Sequence, residues 1–294
     1  MPSVERQREI ITEVLVGCGI APDPVGRLCW RLALPGAGAR HAEGVLRDGF
    51  FMLRTPAHGP VSKGGAWDLL VRNATLRGLT KIVYPPTTEH PWILAELPLV
   101  GDDQEEIAVT VSTFMAAFAE EGDGGRVPAA RASLPSGRAG GGAEREALRF
   151  RCEESGWPVA EHGPDCLTVD LGRDGGGCRA LAAVLPDGTC RLCADLPWWE
   201  ERRDAVRQAI GLLLLRAGGH VRVVRPCVAG ENGGGGPRFE VCLHRVPPAS
   251  LVDAALAALA VACRLYAAEV KALADADIAH LYLALQQGPR HGPA

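Results

Sequence analysis

Apolar positions along this chain fall into two periods, and the alternation between them predicts a repeated unit. From Ala205 to Leu273 the pattern reads helix, β-hairpin, long helix. Val206, Ile210, Leu213, Leu214 and Ala217 recur at helical spacing, and Gly218-Gly219 reads as the stop of that helix. Val221 to Arg225 then predicts a strand, the Gly230–Pro237 run a loop, and Arg238 to Val246 a second strand with Phe239, Val241 and Leu243 on one face. Pro247-Pro248 ends it, and Ser250 can cap a helix carrying Val252, Leu256, Leu259, Cys263, Tyr266, Val270 and Leu273. These steps of four and three form a narrow seam along a helix of roughly 36 Å. Burying such a seam contributes on the order of 10 kcal/mol gross, before chain entropy is subtracted.

A weaker copy runs from Ala66 to Glu121. Trp67, Leu70, Val71 and Ala74 line a helix that stops at Gly78. Lys81 to Tyr84 and Trp92 to Leu97 read as strands, and Ile107, Val111, Phe114 and Phe118 repeat the four-three spacing. Set against Val252, Leu256, Leu259 and Cys263, these four positions share one offset. The pattern predicts two tandem copies of one α+β unit.

The remaining segments extend each copy. Residues 4–17 predict an amphipathic helix, Leu28 to Leu32 a strand and Leu46 to Arg54 another. In the second copy, Glu144 to Ser155 predicts a helix and Leu167 to Leu171 a strand. Cys178 to Leu185 and Cys190 to Leu196 form a hairpin about Asp187-Gly188, a strong turn signal between alternating runs. The expected fold is therefore α+β: two tandem α-β-β-β-α-β-β-α units, each an antiparallel sheet covered by helices. Domain limits follow from composition. The first unit spans 1–121, a flexible Gly/Pro/Ala/Arg linker 122–143, the second unit 144–287, and a disordered tail 288–294.

Composition narrows the function classes. The chain is 47% hydrophobic and 22% charged, as in a globular protein, and its net charge of −4 argues against nucleic acid or an anionic membrane as partner. The lysines are Lys63, Lys81 and Lys271, and the arginines are scattered rather than clustered. The N-terminus lacks the pattern of a secretion signal. The longest nearly uncharged apolar run, Ala254 to Cys263, is too short to span a bilayer, so the expected location is cytoplasmic.

Candidate chemistry is thin. Of ten cysteines, Cys190 and Cys193 form the one tight pair, but they lie in a strand pattern without the second pair that zinc requires. The glycine runs lack the Lys-Ser/Thr of a phosphate loop. Asp102, Asp103, Glu105 and Glu106 sit where acids offset a helix dipole. No catalytic, cofactor or metal residue is nominated. Trp198-Trp199 reads either as packing at the start of a helix or as an exposed aromatic anchor for a partner, and both residues are nominated as a partner-binding site.

The element order, with a hairpin ending in Leu97-Pro98 or Val246-Pro247 before a long amphipathic helix, resembles the type III secretion chaperone-like fold, also used by YbjN-type bacterial proteins. Secretion chaperones are usually small single-unit homodimers, whereas this chain carries two units. The resemblance implies a non-catalytic protein that binds an extended polypeptide or partner protein, and a monomer whose fused units stand in for the dimer. The alternatives are an enzyme with a site in the cleft between the halves, and a structural or regulatory protein with no chaperone role.

Overall fold

The structure is a computed structural model that describes residues 3–33, 41–57, 65–85, 88, 90–100, 104–122, 142–163, 166–172, 177–198, 203–229 and 235–286. The predicted linker core at 123–141 and the predicted tail at 288–294 lie outside the described residues, as does Trp199.

The first half comprises α1 (Val4–Gly17), β1 (Ala21–Gly26), β2 (Cys29–Ala33), β3 (His41–Arg47), β4 (Phe50–Pro56), α2 (Ala66–Asn73), β5 (Thr80–Val83), β6 (Trp92–Pro98) and α3 (Gln104–Gly122). The second half repeats this order with α4 (Gly142–Glu154), β7 (Val159–Glu161), β8 (Leu167–Asp170), β9 (Arg179–Val184), β10 (Cys190–Asp195), α5 (Asp204–His220), β11 (Arg225–Val228), β12 (Pro237–Leu243) and α6 (Ala249–Ala272). A last helix, α7 (Ala276–Gln286), follows. Each half holds one six-stranded antiparallel sheet, ordered β1-β2-β3-β4-β6-β5 and β11-β12-β10-β9-β8-β7. These are the same order read in opposite directions. The α+β class and the two-half architecture are as the periodicity predicts.

Four local expectations change. Each half has one strand more than predicted, β1 and β7, hydrogen-bonded to the outer side of β2 and β8. Leu46 to Arg54 is two strands rather than one. The chain turns at Asp48 and Gly49, whose φ angles of 53° and 76° belong to the two-residue turn that matches strand twist, and Arg47 pairs with Phe50. The predicted strand Val221–Arg225 is displaced along the chain, because Val223 takes φ 71° and pairing begins at Arg225. Finally, α5 does not stop at Gly218-Gly219 but continues to His220.

One face of each sheet carries the helices. Phe51, Leu53, Ile93, Ala95 and Leu97 meet Ile107, Val111, Phe114 and Phe118 of α3 in the first core. Ala180, Ala182, Leu192, Phe239 and Val241 meet Leu256, Leu259 and Cys263 of α6 in the second. By length and composition α6 could also cross a membrane, but its inward stripe is committed to the sheet.

The glycines of α5 serve the contact between halves. A Cβ on Gly211 would lie 2.8 Å from the backbone of Ala66 and Trp67, and one on Gly218 would lie 2.8 Å from Pro226 and 3.1 Å from Val83. Seven residues apart, they share one helix face: Gly211 lets α5 meet the backbone of α2, and Gly218 makes room for the Pro226 ring of its own half and for Val83 of the first. Replacing Gly211 by valine is therefore expected to push α2 and α5 apart and to destabilise the protein by about 1–3 kcal/mol. A chemical denaturation curve checks this, and the loss would oppose the gain in helix propensity that Gly→Val brings at an open site.

Candidate functional site

Among the described residues, the buried charged side chains lie in the seam where the halves meet. β5 and β11 end their own sheets at this seam, and all eight of their residues are buried. On β5, Lys81 Nζ lies 2.6 Å from Glu96 Oε2 on the neighbouring strand β6. The same ammonium donates across the seam to the carbonyls of Val221 and Val224, each at 3.2 Å. Glu96 Oε2 also accepts from the Val223 N–H at 3.1 Å. The positive φ of Val223 is costly for a β-branched residue, and this bond to a buried carboxylate helps hold it.

The second half answers in kind. On β11, Arg225 donates to Glu240 Oε1 of β12 at 2.5 Å and reaches across to the carbonyls of Gly78 at 3.1 Å and Thr80 at 3.0 Å. The sequence interval from Lys81 to Arg225 equals that from Glu96 to Glu240. The two cation–carboxylate pairs are thus copies of one another, and each cation crosses to main-chain oxygens of the opposite half. Asn73 adds a third bridge, donating to the Ile82 carbonyl of its own half and the Pro226 carbonyl of the other, both at 2.9 Å. Gln208 Oε1 accepts the Ala66 N–H at 2.8 Å, satisfying one of the free donors at the start of α2.

Burial sets the electrostatics. Removal from water pulls the Lys81 ammonium below its usual value, against the attraction of Glu96. Burial pushes the Glu240 carboxyl up, but the nearby Arg225 and Arg191 guanidiniums outweigh it and hold the group below its ordinary value. Lys81, Glu96, Arg225 and Glu240 are each at most 5% exposed. A charge that water scarcely reaches, with its hydrogen bonds spent on neighbouring strands, holds chain to chain rather than waiting for a substrate. The seam is a structural lock.

Trp198, one of the two nominated residues, stands at the margin of this seam. Its ring stacks on Trp67 of the first half with centroids 5.2 Å apart, and the Arg207 guanidinium lies 5.7 Å from the Trp67 ring on α2. Trp198 is half-buried, and Gly236 leaves room for it, since a Cβ there would approach to 2.9 Å. The acidic group at the start of α3 divides. Asp102 and Asp103 lie outside the described residues, while Glu105 reaches His244 at 3.4 Å and Arg245 at 3.2 Å in the second half.

Cys190 and Cys193 project to opposite faces of β10, and burial holds both thiols protonated, Cys193 pushed up to about 12. A different thiol pair joins half-buried Cys178 to buried Cys263. Cys178 and Cys263 share a cavity with Cys193 and Asp195, and the hydrogen bond from Cys263 lowers the Cys178 thiol. Among the described residues, no group of three or more His, Cys, Asp or Glu side chains is arranged to hold a metal.

Routes for a polypeptide partner can be compared at the free sheet edges and the helix faces. β1 carries Pro22 and Pro24 and an irregularity between Pro24 and Gly26, so it offers a broken row of donors to an added strand. β7 is three residues long, and its Glu161 is engaged by Arg145 and Arg149 of α4. The helices offer more. Among the described residues nine large apolar side chains are exposed, and five of them lie in α6 and α7: Val261, Leu265, Ile278, Leu281 and Leu285. On α7, Ala279 is buried and Tyr282 and Leu283 are half-buried towards the core, while Ile278, Leu281 and Leu285, at three-four spacing, face outward. Neither this face nor Trp67 was singled out as a binding element by periodicity, because an outward apolar stripe has the same spacing as an inward one.

No family model, no curated protein and no solved structure matches this chain.

Proposed function

We propose that this protein is a non-catalytic protein-binding module of the chaperone-like kind its repeated unit resembles, with a partner polypeptide held on the outward face of α7. The observation that carries the reading is the exposure of Ile278, Leu281 and Leu285, at 45%, 60% and 70%, on one side of a helix whose other side packs on α5. Three such side chains in a row suit the apolar positions of an extended or helical partner segment. The sheet edges are less suited to strand addition, for the reasons given above. The seam supports the second part of the reading, that the fused halves act as one internal pseudo-dimer and present α7 on a fixed frame.

The test is photo-crosslinking in the producing cell with a benzophenone amino acid placed at Leu281, and at exposed Ser112 on α3 as control. Expected is a discrete adduct with another protein from position 281 and none from 112, lost when Ile278→Asp and Leu285→Asp are introduced. An identical pattern from the two positions, or none from 281, would overturn the reading. Because all three side chains are exposed, the substitutions should leave circular dichroism unchanged.

A further inference from the structure

Strands β9 and β10 separate at one end, and two thiols lie at the opening. Their pairing runs from Val184 and Cys190 to Leu181 and Cys193, and stops there. Beyond it, Ala180 and Arg179 go on pairing with Val169 and Asp170 of β8, while Ala194 and Asp195 go on pairing with Phe239 and Arg238 of β12. The fork opens a cleft of about 590 Å³ whose lining includes Cys178, Leu181, Cys193, Asp195 and Cys263. Cys178 precedes the buried Ala180 and Ala182 in steps of two, so it lies on the sheet face that α6 covers. There its sulfur accepts a hydrogen bond from the Cys263 thiol. Cys178 is half-buried at the cleft, and Cys263 is buried behind it among core side chains.

The duplicated helix provides an internal comparison. The register that aligns Val252 with Ile107 sets Phe118 of the first copy against Cys263, and Phe118 is a buried core side chain. Packing at this helix position is therefore met by a large apolar group and does not call for a thiol. Cysteine in its place removes volume at the base of the fork and puts a sulfur beside Cys178.

We infer that Cys178 and Cys263 form a reversible oxidation site, closed to a disulfide by a peroxide entering through the fork and opened again by a thiol reductant. The two sulfurs have different parts. The hydrogen bond from Cys263 holds the Cys178 thiol below its ordinary value and makes it the attacking thiolate. The same bond, together with burial, pushes the Cys263 thiol up and keeps it protonated until it is needed. Cys178 Sγ attacks one oxygen of hydrogen peroxide, the O–O bond breaks, and hydroxide leaves to take up a proton as water. Cys263 Sγ then attacks the sulfur of the Cys178 sulfenic acid, the S–O bond breaks, and the Cys263 proton leaves with that hydroxide as a second water. Two thiols have lost two electrons, and the peroxide has gained them. Cys193 is the wrong partner, because it projects to the opposite face of β10, where burial pushes its thiol up to about 12. The disulfide would fasten to the sheet the helix from which α7 continues, a property separate from the binding proposed for α7.

Peptide mass spectrometry of the folded chain tests this, after brief exposure to hydrogen peroxide and alkylation of the remaining thiols. Of the ten thiols, two per chain are expected to be lost and recovered as one Cys178–Cys263 linked peptide, with dithiothreitol restoring both. Cys263→Ser should stop the reaction at the sulfenic acid, so that dimedone labels Cys178. In that variant Cys178 should be labelled before Cys18, which is exposed and so controls for accessibility alone. Cys178→Ser should abolish both the linkage and oxidation of Cys263. A parent chain that yields no linked peptide unless denaturant is added would overturn the inference. So would a linkage through Cys193 or Cys18 in place of this pair, or labelling of Cys18 ahead of Cys178.

Discussion

Replacing Glu240 by leucine is expected to lower the unfolding free energy by about 3–5 kcal/mol, the usual cost of leaving one member of a buried ion pair without its counter-charge. Arg225 would keep its bonds to the Gly78 and Thr80 carbonyls but would have no carboxylate within reach except through rearrangement. Glu96→Leu should cost a similar amount, because it strips Lys81 of its partner and removes the acceptor for the strained Val223 amide. The double variant Lys81→Met/Glu96→Leu is the informative control. With both charges gone, the cost should fall well below that of Glu96→Leu alone, since buried pairs replaced by apolar groups of similar volume are often near neutral. Guanidinium unfolding followed by circular dichroism measures all three. A Glu240→Leu protein as stable as the parent would show that Arg225 does not depend on its pair.

Leu259→Asp and Phe114→Asp are expected to have still larger effects, each enough to unfold the half that carries it. Leu259 is 0% exposed and Phe114 is 1% exposed, so each substitution removes an apolar side chain from a closed core and leaves a carboxylate without water or counter-charge. Either loss exceeds about 4 kcal/mol, a large part of the stability of an ordinary domain. Far-ultraviolet circular dichroism and proteolysis read the result. Soluble, fully structured variants would contradict the assignment of α3 and α6 as the central core helices.

Much of this architecture is legible in the chain, and the failures have identifiable causes. The four-three spacing of Ile107, Val111, Phe114 and Phe118 and its copy at Val252 to Cys263 fix both core helices, because one apolar stripe must face one sheet. The Asp187-Gly188 hairpin is equally plain. The same signal at Asp48-Gly49 is masked by its neighbours. Leu46 before it and Phe50 and Phe51 after it make the run look like one continuous strand. β1 is hidden by Pro22 and Pro24, which count against a strand everywhere except at an edge, and β7 by its length of three residues.

The seam is harder to read because contact between halves follows no short period. Gly218 and Gly219 have the residue type of a helix stop, yet Gly218 makes close contact with Pro226 and Val83. Lys81 and Arg225 look like ordinary exposed charges on short strands. What could have flagged them is their position in the repeat: a basic residue and a glutamate kept at the same interval in both copies. Trp198 was visible as an unusual residue, but nothing local indicates that Trp67, far away in sequence, stacks on it.

The reading of the fused halves as one internal pseudo-dimer rests on one rigid frame, so the central claim is that the two halves are locked through crossed cations at β5 and β11. Hydrogen–deuterium exchange on the intact chain, comparing the parent with Arg225→Met, tests it most directly. Arg225 belongs to the second half, but it donates to main-chain oxygens of the first. The account predicts faster exchange in peptides covering Gly78–Tyr84 of the first half as well as Arg225–Val228 of the second, with β2 and β3 unchanged. Faster exchange confined to the second half would contradict it, and would make the halves neighbours rather than a single body.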